Sequence, residues 1–235
     1  MDNTYSVEKF ENSKNIIIFF GSQHSKDKNQ LIEIEKRIKD LQPNIILVEG
    51  NYNLANYKSK EESVLYGGEM GFVSYLAKNK KIKLLSNDPP EKRTIMFVTQ
   101  KYGKDFCFLY SFMRNINHYL KDNKGKMNGL IEYTILKFKS NSNWDNYEYT
   151  FQNLKKIFKS LMEKDLDIYQ DFSDYFNPNL SFSIFNKISR DLSEFRDSFT
   201  MNLLKEILIH NRKIFIIKGK SHLYKQKNKI SSLLK

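Results

Sequence analysis

The chain has 235 residues, a formal net charge of +12, 40% hydrophobic and 14% aromatic residues, and only 9 Gly and 4 Pro. Those proportions exclude a disordered tail, a collagen-like fibre and a low-complexity linker, and a chain of this length buries a core without a disulfide or metal staple. No apolar run approaches the ~20 residues of a membrane helix.

Met1–Phe10 lacks the apolar stretch of a secretory signal. Cys107 is the single cysteine, so it has no internal disulfide partner and builds no thiolate metal site alone. The expectation is a soluble, cytoplasmic protein. The positive charge comes from 33 Lys against 6 Arg, beside 24 Asn, a skew typical of AT-rich coding. A surface that reads bases or clamps phosphates recruits the arginine fork more often. Met201–Lys235 carries nine Lys/Arg against Glu206 alone. That basic segment suits an acidic partner, but the lysine bias argues against nucleic acid and for a solvated basic face.

Four short β-branched runs read as strands: Asn15–Phe20, Asn44–Val48, Lys81–Leu85 and Lys213–Lys218. Each is continuous rather than alternating, as in strands buried on both faces of a parallel sheet. Between the first two, Leu31, Ile34, Ile38 and Leu41 recur at helical spacing and Pro43 stops the helix. Before the third, Gly71–Lys80 offers Phe72, Val73, Leu76 and Ala77 as an apolar stripe. Residues 91–179 are aromatic-rich and helix-periodic over Phe106–Leu120, Asn128–Phe138 and Tyr147–Met162, with no strand pattern. A longer helix, about Leu192–His210, precedes the fourth strand, and a short basic segment comes after it. The expected architecture is α/β: a mostly parallel sheet with flanking helices, formed by residues 1–90 and 180–235 and interrupted by a helical insertion over 91–179.

The loops after the strands carry the chemistry. The four strands lead into Gly21-Ser22-Gln23-His24, Glu49-Gly50, Asn87-Asp88-Pro89-Pro90 and Gly219-Lys220-Ser221-His222. Parallel strands open all four loops on one carboxyl edge, where such folds bind ligands. A glycine directly after a strand permits the sharp turn that places the imidazole over that edge. The helix before the fourth strand runs antiparallel to it, so its first turn brings Arg196 and Asp197 to the same edge. Arg196 there could hold a substrate carboxylate or neutralise an oxyanion. Glu49 at a buried strand end requires a partner. Asp88 also fits an ordinary turn, and Glu69 reads as a helix-start acid. His210 reads as a helix cap, and His118 and Cys107 as structural. No phosphate loop, dinucleotide fingerprint or serine elbow is present.

Taken together, the two Gly-x-x-His motifs, Glu49-Gly50, Gly68-Glu69, Asp88 and Arg196-Asp197 resemble the TraB/TIKI superfamily, which includes erythromycin-esterase-like and ChaN-like proteins. The resemblance covers about Asn15–Pro90 and Ser189–Tyr224. It implies an α/β fold with the site at the sheet edge, but several reactions. TIKI-like members look like metal-dependent peptidases, which would make His24, Glu49 and His222 ligands of Mn, Co, Zn or Fe. Esterase-like members use an equivalent histidine as general base without a required metal, and ChaN-like ones bind haem.

The leading expectation is a hydrolase of a peptide or amide bond acting through metal-activated water, with His24, Glu49, Arg196 and His222 catalytic and Glu69, Asp88 and Asp197 secondary. The alternative is a metal-free hydrolase of a small-molecule ester, with His24 as base, Glu49 orienting it and Arg196 at the oxyanion. A third, non-catalytic possibility is a haem- or peptide-binding module.

Overall fold

A computed structural model describes residues 5–52, 56–122, 127–210 and 213–235. The elements in chain order are β1 (Ser6–Glu11), β2 (Ile16–Ser22), α1 (Lys28–Leu41), β3 (Ile45–Val48), α2 (Lys60–Asn79) and β4 (Lys83–Ser86). They continue with α3 (Glu91–Tyr102), α4 (Lys104–Asp122), α5 (Met127–Ser142), α6 (Phe151–Met162), α7 (Ser173–Phe176) and α8 (Ile184–Leu208). β5 (Lys213–Gly219) and α9 (Lys220–Leu233) complete the chain. The fold is α/β, with a five-stranded mixed, mostly parallel sheet in the order β1-β2-β5-β3-β4. Only β1 is antiparallel, paired with β2.

Two compact units divide the chain, one formed by Met1–Pro89 with Phe195–Lys235 and the other by Pro90–Glu194. In the first unit the strand residues alternate between two cores. Ile18, Phe20, Ile46, Val48, Phe215 and Ile217 pack with Ile34 and Ile38 of α1 and Phe72, Val73 and Leu76 of α2. Their neighbours Ile17, Phe19, Ile45, Leu47, Ile214 and Ile216 face the other way, onto Leu204 of α8 and Leu223 and Ile230 of α9. Both faces of the central strands are therefore buried, which is why their sequences are unbroken apolar runs. The second unit is helical, with a core of Phe108, Phe112, Leu154, Phe158, Phe185 and Ile188 among others.

Register sets the geometry of the carboxyl edge. β5 lies between β2 and β3, with Ser22 opposite Gly219 and Val48 opposite Ile217. Val48 in turn pairs with Ser86. The first residue past β3 therefore flanks the end of β5: the amide of Glu49 donates to the Ile217 carbonyl at 3.1 Å, and Asn87, past β4, reaches the same carbonyl through its side-chain amide at 3.3 Å. A one-residue slip would send these side chains to the wrong face.

Local sequence explains the helix boundaries. Asp27 caps α1 by accepting from the Gln30 amide, and Gln42 ends it in a left-handed conformation just before Pro43. Ser59 caps α2 through the Glu62 amide. α2 begins well before Gly71, and it bends at Gly68, whose φ of 57° and ψ of −147° are non-helical. Only glycine adopts that region without strain. α8 starts at Ile184 rather than near Leu192, because Phe185 and Ile188 continue its buried stripe upstream. The basic segment after β5 is the helix α9, which buries Leu223, Gln226 and Ile230. β1 was not expected from sequence, since its residues are largely polar. Among the described residues no helix is long and apolar enough to cross a membrane.

Gly68 and Gly129 separate backbone strain from packing, because an added Cβ meets nothing within 4 Å at either. Gly68→Ala is expected to destabilise by about 1–3 kcal/mol through its positive φ, and Gly129→Ala, within α5, to stabilise by about 0.5–1 kcal/mol. Denaturant titration of the two variants checks the opposite signs.

Candidate active site

The first compact unit brings the strand-end residues together. His24 lies in the left-handed region with φ of 54°, an uncommon conformation for a side chain with a Cβ. Its Nδ1 is 3.1 Å from Glu69 Oε1, and its Nε2 is 3.6 Å from Glu49 Oε2. Glu69 is buried and also accepts a hydrogen bond from the Ser22 hydroxyl at 3.0 Å. The Gly68 bend thus delivers Glu69, the acid that opens the helical segment after the kink, to His24. A carboxylate only accepts, so this contact favours the tautomer with the proton on Nδ1, which leaves Nε2 as the basic nitrogen. The bond to Glu69 raises the His24 pKa above 6.5, with burial opposing and Glu49 reinforcing the rise.

The second part of the site is a charge clamp. Arg196 Nε and Nη2 donate to Asp88 Oδ1 at 2.9 Å and Oδ2 at 2.6 Å, and Nη2 also donates to Glu49 Oε1 at 2.7 Å. Asp88 further accepts from the Gly50 amide at 3.0 Å, and Glu49 Oε2 from the Gly219 amide at 2.7 Å. Lys218 is wholly buried at the end of β5, with Nζ 3.3 Å from Asp88 Oδ1 and 3.0 Å from Thr200 Oγ1. Burial lowers the Lys218 pKa, although Asp88 pulls the other way. Burial alone would push Asp88 up, yet the Arg196 hydrogen bonds and charge hold it down at about 2. Glu49 is likewise lowered, because Arg196 overcomes the effect of burial.

A third group adjoins these. His222 Nδ1 lies 2.5 Å from Asp197 Oδ1, which also accepts from Gln226 Nε2 at 2.6 Å. Burial would raise the Asp197 pKa, but the His222 hydrogen bond lowers it. Arg196 and Asp197 sit in the middle of α8 rather than in its first turn, and they still reach Asp88, Glu49 and His222.

The paired Gly-x-x-His motifs have a packing explanation. A Cβ on Gly219 would lie 2.8 Å from His24 Nε2 and 3.7 Å from His222 Cδ2, so the absent side chain leaves the space the first imidazole occupies. A Cβ on Gly21 would lie 3.1 Å from Lys220 Cα and 3.2 Å from Leu223, so that glycine admits the start of α9, which carries the second imidazole. Each motif's glycine makes room for the other motif. Neither glycine has a positive φ, so close approach, not backbone freedom, is the reason for them.

Arg196, Asp88 and Glu49 form one hydrogen-bonded network; the His24–Glu69 pair meets it at the 3.6 Å approach of Nε2 to Glu49 Oε2, with His222 and Asp197 beside it. Ser22, Lys218 and Gln226 were missed from sequence; the run Lys213–Lys218 has a lysine at each end, and nothing in it marks the second as buried. His118 is exposed and Cys107 buried, its thiol pushed up to about 11 by burial.

Both Glu49 oxygens are taken by Arg196 and the Gly219 amide, whereas each histidine rests Nδ1 on a carboxylate, an arrangement that metal-bound imidazoles share. Among the described residues no group of three or more His, Cys, Asp or Glu is arranged to hold a metal ion. Compared with known protein families, curated proteins and solved structures, the chain gave no match in any of the three.

Asp88 provides a stability test. Its folded pKa of about 2 lies below the ordinary value of 3.8. Its contribution, about 2 kcal/mol, is present above pH 3.8 and is lost as pH falls through about 2. Asp88→Asn is expected to lose that stability at neutral pH and to converge with the wild type in acid. Urea unfolding from about pH 2 to 7 reads both limbs.

Proposed function

We propose that the chain is a hydrolase of carboxylic esters, lactones included, in which His24 acts as general base without a metal. The single observation that carries this reading is the placement of the imidazole between two carboxylates, Glu69 at Nδ1 and Glu49 at Nε2. Glu69, rather than Glu49, orients the ring and fixes the tautomer. The resemblance to esterase-like members of the TraB/TIKI superfamily agrees with a histidine base.

His24 Nε2 removes a proton from water as its oxygen attacks the ester carbonyl carbon and the C–O bond forms. The 3.6 Å to Glu49 Oε2 is too long for a hydrogen bond to the neutral ring. Once Nε2 is protonated, the same separation becomes a charge-charge attraction. Glu49 therefore stabilises the imidazolium selectively, which is the condition for accelerating the step. Negative charge develops on the carbonyl oxygen. Arg196 uses Nε and Nη2 on Asp88 and Glu49, and Nη1 makes none of those bonds, so it is the edge offered to the oxyanion. Collapse breaks the bond to the leaving alcohol, whose oxygen takes the proton back from Nε2. Water and ester give acid and alcohol, and His24 returns neutral.

The test is turnover of 4-nitrophenyl acetate, a γ-lactone and a short peptide, with and without EDTA. The expected result is ester turnover insensitive to the chelator and reduced about 10²–10⁴-fold in His24→Ala. Because the His24 pKa is raised, the base is free only above a correspondingly higher pH. The rate should climb with pH through a value above 6.5, and Glu69→Gln should move that limb downwards. Turnover that survives His24→Ala, or that EDTA abolishes and added metal restores, would contradict the proposal.

A further inference from the structure

We propose that Tyr52 is a further catalytic residue, its phenol donating a hydrogen bond to the substrate's carbonyl oxygen alongside Arg196. This inference rests on the ester-hydrolase reading of the same site. Tyr52 comes three residues after Glu49, and its ring is wedged between the two segments that present the carboxylates flanking His24. A Cβ on Gly50 would lie 3.3 Å from ring atoms Cδ2 and Cε2, and one on Gly67 would lie 3.2 Å from Cε1. Gly50 lies just past Glu49, and Gly67 just before the bend that delivers Glu69. The two glycines therefore hold opposite edges of the ring, and the Tyr52 carbonyl is pinned by the Ser74 hydroxyl at 2.5 Å.

With Cε2 against Gly50 and Cε1 against Gly67, the hydroxyl between those two ring atoms lies between the segments that carry Glu49 and Glu69. Among the described residues the hydrogen bond that Tyr52 makes is to its backbone carbonyl and none is to its hydroxyl, and the residue is only half-buried. A donor held rigidly at a polar site without a protein acceptor is available to a ligand. Burial, then the charges of Glu69 and Glu49, raises the phenol pKa, so the group keeps its proton across the neutral range. A phenol of this kind donates a hydrogen bond without surrendering the proton. It supplies the carbonyl oxygen with a second donor, and no proton changes hands.

Tyr52→Phe removes the hydroxyl and keeps the ring, whereas Tyr52→Ala removes both. For 4-nitrophenyl acetate, Tyr52→Phe is expected to lower kcat about 10²-fold, with KM and the melting temperature as in the wild type. Tyr52→Ala should lose thermal stability as well, since Gly50 and Gly67 lose their packing partner. Wild-type kcat in Tyr52→Phe, with impairment only in Tyr52→Ala, would reduce the residue to packing and overturn the inference. His24→Ala is measured beside them. If it is inactive and Tyr52→Phe is not impaired, this inference alone fails. If it retains turnover, or if the wild-type protein shows none above buffer, the ester-hydrolase reading fails and takes this inference with it.

Discussion

Arg196 is the cation on which the carboxyl edge depends. Asp88 and Glu49 lie just past the ends of neighbouring strands and would repel each other without a positive charge shared between them. The guanidinium binds the first through two nitrogens and the second through one. A planar fork makes such a double engagement possible, where an ammonium on a flexible stem would not hold both in register. Lys218 adds a second cation against Asp88, although burying its amine is unfavourable. With its charge balanced, Glu49 is fixed well enough to accept from the Gly219 amide and face His24 at once.

The clamp works only because the sheet has the order it has. β5 enters last in sequence and fills the place between β2 and β3. It brings Lys218 to Asp88 and Gly219 against His24, and it starts the helix that carries His222. The glycines on the two motifs then become a matter of space, each leaving room for the opposite imidazole or the helix that bears it. Fold and site are thus joined through β5, whose residues from Ile214 to Gly219 are all buried.

Much of this was legible in the sequence, and the reasons are physical. Continuous apolar runs report strands buried on both faces, as β2, β3 and β5 are, and the same pattern found β4, although that edge strand is only partly buried; a parallel sheet gathers the loops at their carboxyl ends. Hence His24, Glu49, Asp88 and His222 could be expected at one edge. β1 escaped because Ser6–Glu11 mixes charge with two apolar residues, and its pairing comes from β2. The role of Glu69 escaped because Gly67-Gly68 marks a break without saying where the following residue is aimed. Lys218 was hidden by its composition: a lysine ending a strand reads as solvated, and only the register shows Asp88 and Thr200 closing over it. The second compact unit left no comparable motif, and its aromatic periodicity reports a helical core.

The central claim is that Glu69 fixes the His24 ring with the proton on Nδ1 and Nε2 free. Nitrogen-15 NMR of the His24 imidazole across pH tests it most directly. The account predicts a neutral ring protonated at Nδ1, titrating above 6.5, with both properties lost in Glu69→Gln. A neutral ring protonated at Nε2, or a titration at or below 6.5 that Glu69→Gln leaves unmoved, would contradict it.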